Sequence, residues 1–156
     1  MKIETILVPT DFSAHADKAF ETAVDLAKVF GARIELLHAY DFGQWVTLAQ
    51  ATFAERLAEQ VRIQATKKMR LLVDRAKADG IDVSIHLALG SASELIIDRA
   101  KETKADLLVM GTRGVGLAKH LFLGSVAERT IQLAPCPVLT VTADPAGENR
   151  TRTEAV

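Results

Sequence analysis

The sequence predicts an α/β fold in which helices wrap a parallel β-sheet. Short apolar runs alternate with helical patterns along the chain, an order typical of parallel sheets because each crossover takes a helix-length connection. Aromatic residues make up only 5% of the chain, and Ala, Leu, Val and Ile carry the apolar content instead. That composition favours helices packed on a buried parallel sheet over an all-β or disulfide-rich module. With 156 residues and no internal repeat or linker, the chain is expected to form one domain.

The first part of the chain predicts a strand, a helix and a second strand. The apolar run at residues 6–8 is typical of a buried strand, and Pro9 stops it. Ala14–Phe30 carries apolar residues at spacings of three and four, which places them on one face of a helix. Gly31 stands where a C-terminal glycine belongs, and residues 33–39 form the second predicted strand.

The middle of the chain predicts a loop, a long helix and a third strand. Residues 41–50 show no clear period and are expected to form a loop. Apolar residues then mark a helix over residues 53–76, which Gly80 closes. Residues 82–89 alternate into a strand that ends at Gly90. The first turns of the long helix present an apolar stripe that is expected to cover the sheet: Phe53, Leu57 and Val61.

The last part of the chain predicts two further helices and two further strands. Ser91 and Glu94 have the spacing of a capping box, which predicts that a helix opens there. Residues 107–110 form the fourth predicted strand. A helix over residues 126–133 and a fifth strand, Val138–Val141, complete the pattern.

Charge and composition exclude several classes of function. The net charge of −1 predicts no general attraction to nucleic acid or anionic lipid. No stretch approaches the roughly 18 consecutive apolar residues of a membrane helix. The first strand candidate begins at Ile3, which leaves no room for a signal peptide, and the single cysteine, Cys136, fits a reducing compartment. A cytoplasmic protein without nucleic-acid or membrane partners is therefore expected.

Two turns follow strands of the predicted sheet and are the candidates for a binding site. Pro9, Thr10 and Asp11 come directly after the first strand, and Gly111 opens a turn directly after the fourth. Ligands of open parallel sheets bind beyond the carboxyl ends of the strands, where the strand order reverses. If these two strands are neighbours at that point, both turns line one crevice.

The second turn leads to a helix start that suits a phosphate. Gly111, Gly114 and Gly124 allow the backbone to pass close to phosphate oxygens, and Ser125 is expected to cap the following helix with Glu128 as its capping-box partner. The N-terminus of a helix offers unpaired N–H groups and a partial positive charge. The alternative is that these glycines only form loop turns. A Walker A loop is excluded because Leu117 and Ala118 follow where Lys-Ser/Thr is required, and the first turn lacks the glycines of a dinucleotide fingerprint.

These motifs together resemble the universal stress protein family. The resemblance rests on Gly111-x2-Gly114-x9-Gly124-Ser125, on the run ILVPTDFS at residues 6–13 and on APCPV at residues 134–138. It implies a five-stranded parallel sheet in the order 3-2-1-4-5 with helices on both faces, and a homodimer formed through the last strand, Val138–Val141. The family domain would span residues 1–143, and residues 144–156 are expected to be a polar, flexible tail.

The resemblance also implies roles for named residues. Pro9, Thr10 and Asp11 would border adenine and ribose, with Asp11 accepting hydrogen bonds from the nucleoside. Ala39 would form part of the adenine wall, with less packing surface than the valine often found there. Arg113 is either a phosphate ligand or a solvated surface arginine. The remaining residues that the resemblance places at the nucleoside or the phosphates are Met110, Gly111, Gly114, Gly124, Ser125 and Val126.

The function implied is that of an ATP-binding regulator or sensor in the stress response. The glycine pattern is the one that marks ATP-binding members, and Mg²⁺ or Mn²⁺ would be held mainly through the nucleotide phosphates. No general base, metal carboxylate pair or arginine finger is evident, which favours regulation over fast catalysis. Two alternatives remain open: a slow ATP hydrolase that uses the same pocket, and a dimeric interaction module with no nucleotide bound.

Other reactive residue types receive plainer interpretations. His15, His38, His86 and His120 lack metal-ligand spacing, so no protein-ligated metal site is expected. His38 is interpreted as a packed core histidine. Cys136 has no basic neighbour in sequence and is interpreted as inert packing.

Overall fold

In the computed structural model, residues 2–41, 51–114 and 123–143 are described, with the side chains of residues 51–55 left out. The strands of this part of the chain are β1 Thr5–Pro9, β2 Arg33–Tyr40, β3 Val83–Leu89, β4 Leu107–Gly111 and β5 Val138–Val141. Its helices are α1 Ala14–Phe30, α2 Ala51–Ala78, α3 Ala92–Thr103 and α4 Ser125–Leu133. Residues 42–50 of the predicted loop at residues 41–50 and the predicted tail at residues 144–156 lie outside the described residues.

The five strands form one parallel sheet in the order β3-β2-β1-β4-β5, which confirms the expected order. β1 is the central strand because it is apolar on both faces: Ile6, Leu7 and Val8 are fully buried. Ile6 pairs with Ile34 of β2 on one side and with Leu107 of β4 on the other. Along the chain, β2 and β3 are added on one side of β1, and β4 and β5 are then added on the other side. The strand order therefore reverses between β1 and β4.

Helices cover both faces of the sheet, as predicted. On one face, Ile6 and Val8 pack in a core formed with α1 and α2, and Phe20 and Met69 are its largest fully buried helical side chains. On the other face, Leu7 packs with residues of α3 and α4 such as Ile96 and Ala127. Because successive side chains of β1 point to opposite faces of the sheet, they belong to two separate cores.

The prediction that Leu57 covers the sheet was wrong, and the length of α2 explains why. A helix of 28 residues is about 42 Å long, whereas the eight residues of β2 span about 26 Å. The helix therefore extends past the sheet, and Leu57 is 43% exposed. The sheet is covered instead by later residues of the helix, which are Ala65, Met69, Leu72, Val73 and Ala76.

The helix ends follow the predicted signals in α1 but not in α3. Ser13 caps α1, since its hydroxyl accepts a hydrogen bond from the Ala16 N–H at 3.2 Å, and Gly31 ends the helix in the left-handed conformation at φ 68°. Ser91 stands at the N-cap position of α3, but the predicted capping box is absent. The Ser91 hydroxyl lies 3.5 Å from the Ser93 hydroxyl, and Glu94 pairs with Arg129 of α4 at 3.3 Å.

A carboxylate that the sequence analysis did not single out ties β1 to the start of β4. Asp106 Oδ2 accepts hydrogen bonds from the N–H groups of Glu4 and Thr5 at 2.9 and 3.0 Å. These two bonds favour the ionised carboxylate and hold the pKa of Asp106 below its ordinary value.

No helix of the described residues is long and apolar enough to span a bilayer.

Removing the Phe20 side chain should strongly destabilise the protein. Phe20 is 1% exposed in the core between α1 and the sheet, so Phe20→Ala should lower the free energy of unfolding by about 3–5 kcal/mol through lost burial and a cavity. Phe30 lies at the end of the same helix and is 46% exposed, so Phe30→Ala should cost less than about 1 kcal/mol. Urea denaturation of both variants measures the difference, and equal losses would contradict this account of the core.

Candidate functional site

A cavity of about 450 Å³ lies beyond the carboxyl ends of β1, β2 and β4. It lies on the face of the sheet that α3 and α4 cover, because Leu37 of β2, Ile96 of α3 and Ala127 of α4 belong both to that core and to the cavity wall. The turns after β1 and β4 both line it. The crevice expected where the strand order reverses is therefore present in the fold.

The structure brings together ten of the eleven residues that the sequence analysis assigned to a ligand. Met110 is the exception: it is 5% exposed and packs in the core with α3 and α4, away from the cavity wall. The assigned residues that line the cavity are Pro9, Thr10, Asp11, Ala39, Gly111, Arg113, Gly114, Gly124, Ser125 and Val126.

Sequence reasoning missed most of the apolar wall and Thr112, which directly follows Gly111. The missed lining residues are Ala16, Leu37, Ala92, Ile96, Thr112 and Ala127. A signal for Leu37 was present, since side chains two apart on a strand share a face and Ala39 was already assigned. Ala92 and Ile96 are four apart at the start of α3, which puts them on one side of that helix. Nothing in the sequence alone indicated that this side faces the cavity.

The turn between β1 and α1 is held by its own side chains. The Thr10 hydroxyl accepts a hydrogen bond from the Phe12 N–H at 3.0 Å, and Asp11 Oδ1 accepts one from the Ser13 N–H at 3.0 Å. Phe12 has a left-handed backbone at φ 62°, a conformation that costs a residue with a side chain about 1–2 kcal/mol. These contacts fix the direction in which the turn presents Asp11 to the cavity.

Phe12 and His38 support this turn from the opposite side. The Phe12 ring lies 4.5 Å from the His38 ring and 5.0 Å from the Lys68 ammonium group. His38 Nδ1 lies 2.7 Å from the Thr10 carbonyl oxygen, so Nδ1 carries the hydrogen of that bond. His38 is half-buried and bonded to the turn, which gives the predicted packed histidine a positioning role.

The first two glycines of the motif lie where an added side chain would meet neighbouring atoms at the cavity. A Cβ on Gly111 would lie 2.9 Å from the His15 carbonyl carbon and Cβ, closer than real contacts allow. A Cβ on Gly114 would collide with Oδ2 of Asp11. Gly111 therefore lets the first turn of α1 pack on the end of β4, and Gly114 lets the Asp11 carboxylate lie against the second turn.

α4 begins one residue earlier than predicted, and the assignment of Ser125 as its N-cap was wrong. Gly124 is the N-cap: its N–H donates to the Thr112 carbonyl at 2.8 Å, and its carbonyl accepts from the Glu128 N–H at 2.9 Å. Because Gly124 already makes the first helical hydrogen bond, Ser125 is inside the helix and forms no capping box with Glu128. The serine hydroxyl on the cavity wall is thus not used by the cap.

The start of α4 presents three amide groups at the cavity wall. The N–H groups of Ser125, Val126 and Ala127 precede the first helical hydrogen bond and have no backbone acceptor among the described residues. All three residues line the cavity. A helix start with unpaired N–H groups and a helix dipole is an arrangement that favours anions in proteins.

Two charged side chains contribute to the described part of the wall, Asp11 and Arg113. The Arg113 carbonyl lies 3.5 Å from the Ser13 hydroxyl, which joins the two turns. Arg113 Nε is buried and has no hydrogen-bond partner among the described residues. The wall therefore combines an apolar part, one carboxylate, one guanidinium and a helix start.

Among the described residues, the other titratable side chains do not line this cavity. Among the described residues, no group of three or more His, Cys, Asp or Glu side chains is placed to hold a metal ion. His15 Nδ1 accepts a hydrogen bond from the Ala143 N–H at 2.9 Å.

Cys136 is half-buried, and both burial and the negative charge of Asp106 raise the pKa of its thiol. The raised pKa favours the unreactive thiol over the thiolate.

The chain has an open, doubly wound sheet with a cavity where its strand order reverses, which is the position at which α/β domains of this class bind their ligands. The chain matches the model of the universal stress protein family over residues 2–142, and it belongs to that family.

Relatives agree with this assignment in sequence and in structure. A universal stress protein of Thermus aquaticus is 38% identical over 143 residues, which cover 88% of this chain and 98% of that protein. The structure of the universal stress protein UspA from Lactobacillus plantarum superposes with a TM-score of 0.85 at 26% identity, covering 90% of this chain and 99% of that one. A universal stress protein solved in complex with cAMP gives a TM-score of 0.67 at 28% identity, covering 91% and 98% of the two chains.

The two glycines should respond differently to substitution by alanine. Gly111→Ala should lower the free energy of unfolding by about 1–3 kcal/mol, because its methyl group would press on the backbone of α1. Gly114→Ala should change it by less than about 1 kcal/mol, since its methyl group would meet the end of the Asp11 side chain and not a backbone atom. Urea denaturation compares the two, and wild-type stability of Gly111→Ala would show that α1 does not pack on β4 as described.

Proposed function

We propose that this universal stress protein binds ATP in the cavity and acts as a nucleotide-dependent regulator or sensor in the stress response. The observation that carries the proposal is the start of α4, where three N–H groups without an acceptor among the described residues lie at the wall of a cavity that Ser125 and Arg113 also line. Phosphate is the common biological anion that such a helix start accepts. The family member solved with cAMP supports an adenine nucleotide as the ligand class.

The distribution of polar and apolar residues suggests how the nucleotide would be oriented. The adenine base would contact the apolar wall of Leu37, Ala39 and Ile96, next to Pro9. The Asp11 carboxylate would accept hydrogen bonds from the ribose, and it disfavours phosphate oxygens in its vicinity because of its charge. The phosphates would therefore lie toward the N–H groups of α4, with Gly114 and Gly124 allowing close approach.

A divalent cation would be held mainly by the nucleotide itself. Asp11 is the single carboxylate on the described part of the cavity wall, and one of its oxygens already accepts the Ser13 N–H. Mg²⁺ or Mn²⁺ would accordingly use phosphate oxygens and water as most of its ligands. The same engagement of Asp11 favours ligand binding over a role as a general base, so a regulator is preferred to a hydrolase.

A homodimer through the last strand forms part of the proposal. β5 is an edge strand paired with β4, and Leu139 is 38% exposed on it. An exposed apolar edge strand presents unpaired backbone groups that a second chain could pair with. Association of two copies through Val138–Val141 would cover both the apolar side chain and these groups.

Calorimetric titration of ATP at near-neutral pH tests the nucleotide site. Wild-type protein should bind ATP, and Ser125→Ala should bind it about tenfold more weakly through loss of a hydrogen bond to a charged oxygen. Ser84→Ala on β3 is the control, because Ser84 is exposed and distant from the cavity lining. Absence of heat and of thermal stabilisation at millimolar ATP would contradict the proposed function.

Sedimentation velocity at micromolar concentration tests the homodimer. The wild type should sediment as a dimer, whereas Leu139→Arg should be a monomer because the charge would be buried against the partner. Leu71→Arg is the control, since Leu71 is 65% exposed on α2 and remote from β5. A wild-type monomer, or a dimer unaffected by Leu139→Arg, would show that β5 is not the interface.

A further inference from the structure

We infer that the hydrogen bond between His15 and Ala143 is a pH-sensitive clasp, which holds the end of β5 on α1 and opens when the imidazole is protonated. The bond runs from the Ala143 N–H to His15 Nδ1 over 2.9 Å. An imidazole nitrogen accepts a hydrogen bond only while it carries no hydrogen, so the single ring hydrogen of His15 is on Nε2. The bond therefore requires the neutral imidazole. The clasp goes beyond the proposed function, because it requires neither a nucleotide nor a second chain.

The other histidines that the structure describes are bonded differently. His38 Nδ1 donates to the Thr10 carbonyl oxygen at 2.7 Å, a bond that the neutral and the charged imidazole can both make. The side chain of His86 on β3 has no recorded hydrogen bond within the described part of the chain. Among the described histidines, His15 is thus the one whose hydrogen bond is broken by protonation.

The clasp lies where the chain leaves the sheet. His15 is half-buried in the first turn of α1, where its backbone packs on Gly111 at the end of β4. Ala143 is also half-buried and stands two residues beyond Val141, the last residue of β5. Because β5 is an edge strand, a neighbouring strand pairs with it on one side only. The bond to His15 therefore gives this end of the chain an attachment that the sheet does not provide.

Two further contacts join the end of β5 to the turn after β4. The Thr112 N–H donates to the Val141 carbonyl at 3.0 Å, and the hydroxyls of Thr112 and Thr142 lie 3.3 Å apart. Neither contact contains a group that titrates near neutral pH, so protonation of His15 breaks neither of them directly. Acidification should consequently release Ala143 while β5 stays paired with β4.

Three charged side chains belong to the described segments that pack around His15. Asp11 precedes it in the turn after β1, Lys18 follows it on α1, and Arg113 lies in the turn after β4. Lys18 pairs with Glu21 at 3.1 Å. The described residues at the end of β5 carry no charge. Once the imidazole is charged, its Nδ1–H and the backbone N–H are two donors that face each other, and the bond is lost.

The direction of the pH dependence follows from the form that accepts the bond. Imidazole is the side chain that ordinarily changes its charge between about pH 8 and about pH 5. The clasp is therefore closed at the upper end of this range, where His15 is neutral, and it opens as the pH falls.

Amide hydrogen exchange followed by NMR between about pH 8 and about pH 5 tests the clasp in the protein without added ligand. The measured quantity is the protection factor of Ala143, the exchange rate of an unstructured chain at the same pH divided by the observed rate. In the wild type it should fall at least about fivefold on acidification, as expected for the loss of one hydrogen bond. The protection factor of Thr112 should change by less than about twofold, because its bond to β5 remains.

Two substitutions of His15 separate the acceptor from the charge. The side-chain oxygen of asparagine can take the place of Nδ1 and does not titrate, so H15N should keep Ala143 protected over the whole range. H15A has no acceptor, and its protection of Ala143 at neutral pH should be at least about fivefold below that of the wild type. H86N is the matched control, since it removes a half-buried imidazole from the opposite edge strand and should behave like the wild type.

Several outcomes would overturn the inference. A constant protection factor of Ala143 in the wild type, or an equal fall in H15N, would show that protonation of His15 does not open the bond. An equal fall at Val8, which is fully buried in the central strand, would attribute the change to global unfolding by acid. Thermal unfolding at neutral pH checks the fold of each variant, and if H15A does not fold, the contrast between the wild type and H15N still decides. Failure to bind ATP would overturn the proposed function and leave the clasp in place.

Discussion

The meeting of β1 and β4 in the middle of the sheet is the constraint on which the rest of the site depends. Because β1 is apolar on both faces, it must lie between two strands, and the chain reaches its second neighbour only after building β2 and β3. The turns after β1 and β4 therefore emerge side by side. Gly111 then allows the start of α1 to pack on the end of β4, and Gly114 allows the Asp11 carboxylate to lie against the second turn.

The strands and helices could be predicted from the sequence because each has a local cause. Residues 6–8 and 107–110 are apolar runs that mark β1 and β4 to within a residue at each end, and Gly31 marks the end of α1. The strand order came from the resemblance to a family, since no local pattern states which strands pair. Met110 could not be separated from the cavity lining, because core and wall on that side of the sheet are formed by equally apolar residues.

The helix starts show why local motifs are not sufficient. Ser91 with Glu94 and Ser125 with Glu128 have the same capping-box spacing, and neither forms the box. In α4, the tertiary hydrogen bond between Gly124 N–H and the Thr112 carbonyl fixes Gly124 at the N-cap and moves Ser125 into the helix. The change strengthens the case for a binding site, because it leaves the serine hydroxyl and three N–H groups unused by the cap.

Thr112 connects the cavity with the edge of the sheet. Its carbonyl holds Gly124 at the start of α4, and its N–H donates to the Val141 carbonyl of β5 at 3.0 Å. One residue beyond Val141, the Thr142 hydroxyl lies 3.3 Å from that of Thr112, and the Ala143 N–H donates to His15 in the first turn of α1. The end of the edge strand is therefore bonded to the same residues that shape the cavity. The start of α4 and the end of the edge strand therefore share one hydrogen-bonded residue, Thr112, which a ligand that displaced the start of α4 would move directly.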